Sequence, residues 1–128
     1  MLVRTATLKD SEQVAKLNHE LDLHRVPYHP LSRLKENASE LTLACIKNKI
    51  EKSNAGDGLV LVAQDKDIIG YLTCSIIDQY PSKEIPKIGH IGMVYVTPAY
   101  RRKGIAAALL KDTVKLSDPL EIRIVTVI

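Results

Sequence analysis

The sequence predicts an α/β domain with the element order β-α-α-β-β-β-α-β, and three observations carry that expectation. The run from Ile91 to Leu110, IGMVYVTPAYRRKGIAAALL, reads as an apolar strand through Val96, a stop at Thr97-Pro98, a basic turn, and a helix opening after Gly104. Two earlier segments place apolar residues at helical spacing, Val14, Leu17 and Leu21 in one and Leu43, Ile46 and Ile50 in the other. Between them and the motif, Leu59 to Gln64 and Ile68 to Ile77 are strand-like runs separated by Asp65-Lys66-Asp67, which predicts a hairpin.

Each element has its own signal. Leu2 to Thr7 alternates as a strand does, and Asp10-Ser11-Glu12-Gln13 offers an N-cap with a reciprocal capping-box glutamine for the first helix. That helix should run to about His24, because Pro27 and Pro30 interrupt the pattern. Asn37-Ala38-Ser39-Glu40 is a second capping-box candidate, and Ser53 to Gly58 a polar turn. Tyr80 to Lys87, with two prolines, reads as a loop, and Ile122 to Ile128 as the last strand.

Composition supports one domain over residues 1–128: 45% of the residues are hydrophobic, enough for a core at this length. Phe and Trp are absent, so that core should be built from Leu, Ile, Val and Ala, with tyrosines at its margins. Cys45 and Cys74 stand in no C-x-x-C arrangement and are expected as small buried hydrophobes, reduced in a cytoplasm. No stretch reads as secretory or membrane-spanning. The net charge of +3 is modest and no aromatic-plus-basic stripe occurs, which argues against nucleic acid as a partner.

The basic turn carries the chemistry. A helix N-terminus presents unpaired N–H groups and the positive pole of the helix dipole, and here it directly follows Arg101, Arg102 and Lys103. Gly104 and the alanines after it leave the backbone accessible, so the expectation is an anion site, a pyrophosphate foremost. Neither a G-x-x-x-x-G-K-[ST] phosphate loop nor a G-x-G-x-x-G dinucleotide fingerprint is present.

Arg101-x-x-Gly104-x-Ala106, preceded by Val96-x-Pro98-x-Tyr100, resembles the acetyl-CoA motif of the GCN5-related N-acetyltransferase (GNAT) superfamily. The element order and the opening Arg4-x-Ala6-Thr7-x-x-Asp10 are similar to that family as well. The resemblance implies an acyl-CoA N-acyltransferase fold, a mixed central sheet with helices on both faces. It implies acetyl transfer from acetyl-CoA, as cosubstrate, to a small-molecule or peptide primary amine, directly within a ternary complex. Arg101 would open the cofactor site, and the backbone amides of Arg102, Lys103, Gly104, Ile105, Ala106 and Ala107 would grip the pyrophosphate. A bulge in the preceding strand would turn the backbone of Met93, Val94, Tyr95 and Val96 toward the pantetheine and acetyl carbonyl. Gly92 could ease that distortion.

Some members carry a glutamate base on this strand at the positions that His90 and Gly92 occupy here. His90 is therefore the candidate base, since imidazole titrates near neutral pH. Arg25 and Tyr28, between the first two helices, are candidates for substrate contact, with Asp78 and Glu84 as possible contacts for a cationic acceptor. His24 and His29 lack a third ligand at sensible spacing, so no metal is expected.

Family members normally continue past the point matching Ile128 with a helix and two antiparallel strands, so the resemblance reads the chain as C-terminally short. An alternative follows: a catalytically weak or inactive acyl-CoA-binding module. The β-branched stretch Ile122 to Ile128 would also present an unpaired edge, which predicts a homodimer with Ile124 and Val127 at the contact.

Overall fold

The computed structural model describes residues 1–27, 34–78, 82, 84 and 87–117, and the backbone of 121–124. Its strands are β1 (Leu2–Thr5), β2 (Gly58–Asp65), β3 (Asp67–Asp78), β4 (Lys87–Val96) and β5 (Glu121–Ile124). Its helices are α1 (Ser11–Arg25), α2 (Ala38–Asn54) and α3 (Ile105–Ser117). The element order expected from the sequence is the one observed, with short 3₁₀ turns at Leu8–Asp10 and Pro98–Tyr100. Among the described residues no helix is long and apolar enough to cross a membrane.

The five strands form one sheet in sequence order. Pairing is antiparallel from β1 to β4, and β5 joins β4 in parallel after the α3 crossover. Lys66 turns the β2–β3 hairpin with a φ of 64°, between the paired Asp65 and Asp67. Helices cover both faces, as a mixed sheet with a crossover requires. On one face α1 and α2 bring Val14, Leu17, Leu21, Ile46 and Ile50 onto Val60, Val62 and Tyr71. On the other, Ile105 and Leu109 of α3 pack on Leu61, Leu72, Ile91 and Val94. The helical stripes legible in the sequence are thus the buried ones.

Three expectations are corrected. Tyrosine is central to the core: Tyr71 is 0% exposed and Tyr95 4%. Their hydroxyls make this possible, since Tyr71 donates to Asn18 Oδ1 at 2.5 Å and Tyr95 to Glu20 Oε2 at 3.2 Å. Cys74 is buried, but Cys45 is exposed, because it lies on the outer side of α2 beside the inward-facing Ile46. The capping boxes also differ. Neither Asp10 nor Asn37 caps its helix through a side chain. Asp10 instead accepts from both guanidinium nitrogens of Arg4, at 2.8 and 2.9 Å, and from the Thr7 N–H at 2.8 Å. Gln13 accepts from the Ile68 N–H at 2.9 Å, tying α1 to the start of β3.

The Arg4–Asp10 clasp fastens β1 to the beginning of α1, with the Asp10 side chain buried and that of Arg4 partly exposed. Chiefly through those hydrogen bonds, and further through the Thr7 N–H, the Asp10 carboxyl is held below its ordinary range against the opposing effect of burial. A depressed carboxylate contributes stability that is complete above its unfolded value of about 4 and is lost as pH falls through the folded value. Asp10→Asn should therefore cost about 2 kcal/mol at neutral pH. The deficit should shrink in acid, where the wild-type group is itself protonated. Urea melts of both proteins at neutral and acid pH check this.

Candidate functional site

The site is built where β4 ends and α3 begins. Thr97 N–H donates to Ile69 O at 2.8 Å, pinning the chain as it leaves the sheet, and the Pro98–Tyr100 turn follows. Arg101 is extended, Arg102 has a φ of 64°, and Gly104 a φ of 78°. Left-handed residues within such a turn swing successive N–H groups toward a common point, the geometry of an anion-binding nest. Gly104 O accepts from Ala108 N–H at 3.0 Å, so the N–H groups of Ile105, Ala106 and Ala107 are the first-turn donors that α3 leaves without a helical partner. A cleft of about 280 Å³ opens here, lined by Val96, Arg101, Arg102, Gly104, Ala106 and Ala107 among others, with no acidic side chain in its wall. A Cβ added at Gly104 would meet nothing within 4 Å, so it would project into open space. The donors and the cleft together form a candidate anion site.

The three cations differ in what they can do. Arg101 turns back on the sheet: its Nε donates to Val96 O at 2.9 Å and its guanidinium lies 5.3 Å from the Tyr95 ring centre. Lys103 Nζ stands 5.2 Å from the Tyr100 ring centre. Arg102 has no hydrogen bond or ion pair among the described residues, so its charge is the least committed of the three. The Tyr100 phenol, beside Asp65, has its pKa raised by that carboxylate's charge and hydrogen bond.

Upstream, β4 contains a bulge. Thr73 of β3 pairs with Met93 and the next residue, Cys74, with Ile91, so Gly92 is left over between them. The parallel pairing with β5 runs from Ile88 to Ile91 and, among the described residues, stops at this bulge. Beyond it Val94 and Val96 belong to the α3 core, while Tyr95 and the partly buried Met93 pack under α1 and α2. The side chains of Met93 to Val96 are thus engaged in packing, and it is their backbone that can serve a ligand along the β5 side.

His90 is half-buried two residues before the bulge, opposite Ser75 on β3 and Arg123 on β5. Because Ile91 faces α3, alternation points His90 to the α1–α2 side. Its backbone N–H approaches the Cys74 thiol, whose pKa burial raises and that hydrogen bond partly offsets. Arg25 lies half-buried in the last turn of α1. Tyr28 and His29 lie outside the described residues. Asp78 faces Lys87 across an exposed 3.7 Å ion pair, and Glu84 is exposed. Among the described residues no three His, Cys, Asp or Glu side chains are grouped to hold a metal ion.

Sequence reasoning missed a polar row under α1. Asn18 takes the Tyr71 hydroxyl and its Nδ2 donates to Asp22 Oδ2 at 3.4 Å. The signal was available, since Asn18 and Asp22 fall four and eight residues after Val14 on the stripe that α1 buries.

A bulged fourth strand leading through a nest of N–H groups into a helix, within a sheet covered on both faces, is a mixed α/β scaffold with a candidate anion site at a helix N-terminus. The comparisons make the assignment specific: the acetyltransferase (GNAT) family model matches residues 18–127, and the chain belongs to that family. No curated protein sequence matches it. Among solved structures, the tetramutant of the BH1408 protein from Bacillus halodurans superposes with a TM-score of 0.82 at 19% identity, over 98% of this chain and 83% of that one. A predicted acetyltransferase from Clostridium acetobutylicum, solved with acetyl-CoA, gives 0.75 at 19% identity, over 98% and 80%. The aminoglycoside 6'-N-acetyltransferase AAC(6')-Ig from Acinetobacter haemolyticus gives 0.70 at 20% identity, over 98% and 79%. At these identities the likeness establishes the shared fold.

The two glycines of the site should respond differently to alanine. Gly92 has room, its added Cβ lying 3.5 Å from Thr73 Oγ1, and its φ is not left-handed. Gly92→Ala should change stability by less than about 1 kcal/mol. Gly104→Ala, at a φ of 78°, should cost roughly 1–2 kcal/mol through backbone strain alone. Paired urea melts distinguish the two.

Proposed function

We propose that this protein is an acetyl-CoA-dependent N-acetyltransferase that moves an acetyl group to a primary amine by direct transfer in a ternary complex. The observation that carries the reading is the nest at Arg102 to Ala107: a water-accessible cluster of N–H donors at a helix N-terminus, backed by cations and free of acidic side chains. In this reading those amides hold the cosubstrate's diphosphate, with Arg102 adding charge from the side. The backbone of Met93 to Val96, beyond the bulge, lines the pantetheine arm and directs an N–H toward the acetyl carbonyl. Binding supplies a thioester carbonyl held in place. The amine nitrogen bonds to that carbon as its bond to sulfur breaks, and CoA leaves as a thiolate that takes a proton from solvent. The chain's remaining task is therefore to position the amine and accept its proton.

His90 is the proposed base. It lies on the α1–α2 face of β4, two residues before the bulge. It would take the amine proton directly or through one water.

Two substitutions test the parts separately. Gly104→Asp places a side chain and a negative charge where the diphosphate is held, and should weaken CoA binding at least roughly tenfold in titration calorimetry. Unchanged affinity in a folded variant would remove the proposal. His90→Ala should lower kcat at least roughly tenfold while leaving CoA affinity intact, read by steady-state kinetics beside titration calorimetry. A wild-type kcat in that variant would reassign deprotonation to water.

A further inference from the structure

The turn before α3 holds one residue in a conformation that its side chain disfavours. Gly104 takes its φ of 78° freely, but Arg102 has a φ of 64°, a left-handed backbone in which a Cβ crowds the carbonyl that follows. Such a residue keeps its place only where its neighbours determine it. Here the residue before it does so. Arg101 N–H donates to Pro98 O at 3.3 Å, its Nε donates to Val96 O at 2.9 Å, and its guanidinium lies 5.3 Å from the Tyr95 ring centre. Backbone and side chain of Arg101 are both fastened to the end of β4, so Arg102 departs from a fixed point.

The fastening continues to α1. Tyr95 is buried, and its hydroxyl donates to Glu20 Oε2 at 3.2 Å. Burial and then the Glu20 charge raise the Tyr95 pKa, with the Arg101 cation opposing them, so the phenol keeps its proton for Glu20 while its ring meets the guanidinium. Among the described residues no ion pair joins Glu20 to Arg101 directly, which leaves the tyrosine as the link. Glu20 also shares a cleft of about 430 Å³ with Thr97, Ala99 and Tyr100, so this flank of α1 faces the exit from β4.

We propose that Glu20 and Tyr95 are positioning residues for the anion site: acting through Arg101, they hold Arg102 left-handed and so aim the N–H groups from Arg102 onward at the bound diphosphate. The inference rests on the acetyl-transfer reading above for the identity of the ligand, whereas the conformation of the turn can be read without any ligand.

The first measurement is therefore made on the protein without CoA. A left-handed residue brings its HN and Hα close together, so Arg102 should give a strong intraresidue NOE between them. Tyr95→Phe and Glu20→Leu should weaken that signal and move the amide resonances of Arg102 to Ala107. Glu20→Gln, which keeps an acceptor for the phenol, should retain both. Asn18→Leu is the control: it cuts the Tyr71 tie of the same helix and should lower Tm without moving the turn. In titration calorimetry Tyr95→Phe and Glu20→Leu should bind CoA roughly fivefold more weakly, and Arg101→Met at least as weakly. Because Glu20 acts through Arg101, adding Glu20→Leu to Arg101→Met should bring no further loss. An unchanged Arg102 signal in Tyr95→Phe and Glu20→Leu, additive losses of affinity, or an equal response of the turn to Asn18→Leu would overturn the proposal. Failure of the wild-type protein to bind CoA would instead strike the acetyl-transfer reading, and the Arg102 signal would then decide the role of Glu20 and Tyr95 on its own.

Discussion

The pairing of β3 with β4 is the constraint on which the rest of the molecule depends. It runs the full length of β4 and most of β3, from Gly70 opposite Val96 to Asp78 opposite Lys87, and its single irregularity is the surplus Gly92. That one residue reverses which face β4 presents. Ile91 points toward α3 before it, and Met93 and Tyr95 point toward α1 and α2 after it. At the far end the strands come so close that a Cβ on Gly70 would lie 3.1 Å from Tyr95 O and 3.3 Å from a Val96 methyl. The end of β4 is thereby held tightly, and the turn beyond it starts from a fixed backbone.

From that pairing two cores follow, with different characters. The α3 side is an apolar seal: Ile105 and Leu109 close over Leu61, Leu72 and Val96, and Thr113 satisfies its hydroxyl on Leu109 O at 2.8 Å. The α1–α2 side admits polar atoms into the packing. There Tyr71 and Tyr95, ring centres 6.5 Å apart, send their hydroxyls to Asn18 and Glu20 on α1. A side chain that must keep a hydrogen bond fixes the angular position of the helix more strictly than a leucine does, because apolar contacts are non-directional. Gln13 adds a third such tie at the start of β3. The orientation of α1 is therefore set by three hydrogen bonds from two flanks of the helix, Gln13 and Glu20 on one and Asn18 on the other.

Much of this was legible in the sequence, for reasons that separate local from distant physics. Helical stripes such as Val14, Leu17, Leu21 and the Asp65-Lys66-Asp67 hairpin depend on periods and turn residues within a few positions, and the basic turn before Gly104 is a contiguous signal. The capping assignments failed because Asp10 and Gln13 each found a partner outside the helix, Arg4 in β1 and the Ile68 N–H some fifty-five residues on. A local rule cannot weigh such partners. The burial of Tyr71 was misjudged in the same way, since its hydroxyl partner comes from a helix that contacts it only after folding. Gly92 stood out as a candidate bulge, but that the surplus residue falls there follows from pairing with Thr73 and Cys74, which no single strand encodes. Tyr28 and Val127, expected at the acceptor side and at a dimer contact, lie outside the described residues.

The two halves of the proposed site consequently recognise their ligands by different means. At the α3 end the candidate donors are backbone N–H groups, so recognition depends on conformation: two left-handed residues, Arg102 and Gly104, aim the amides. The flanking cations contribute less selectively: Arg101 and Lys103 lie against the rings of Tyr95 and Tyr100, and Arg102 has no hydrogen bond or ion pair among the described residues. At the bulge the reverse holds: His90, two residues before it, presents a side chain whose face is set by its register against Ser75. A substitution at the first end therefore acts through the conformation of the turn, and one at the second through side-chain chemistry.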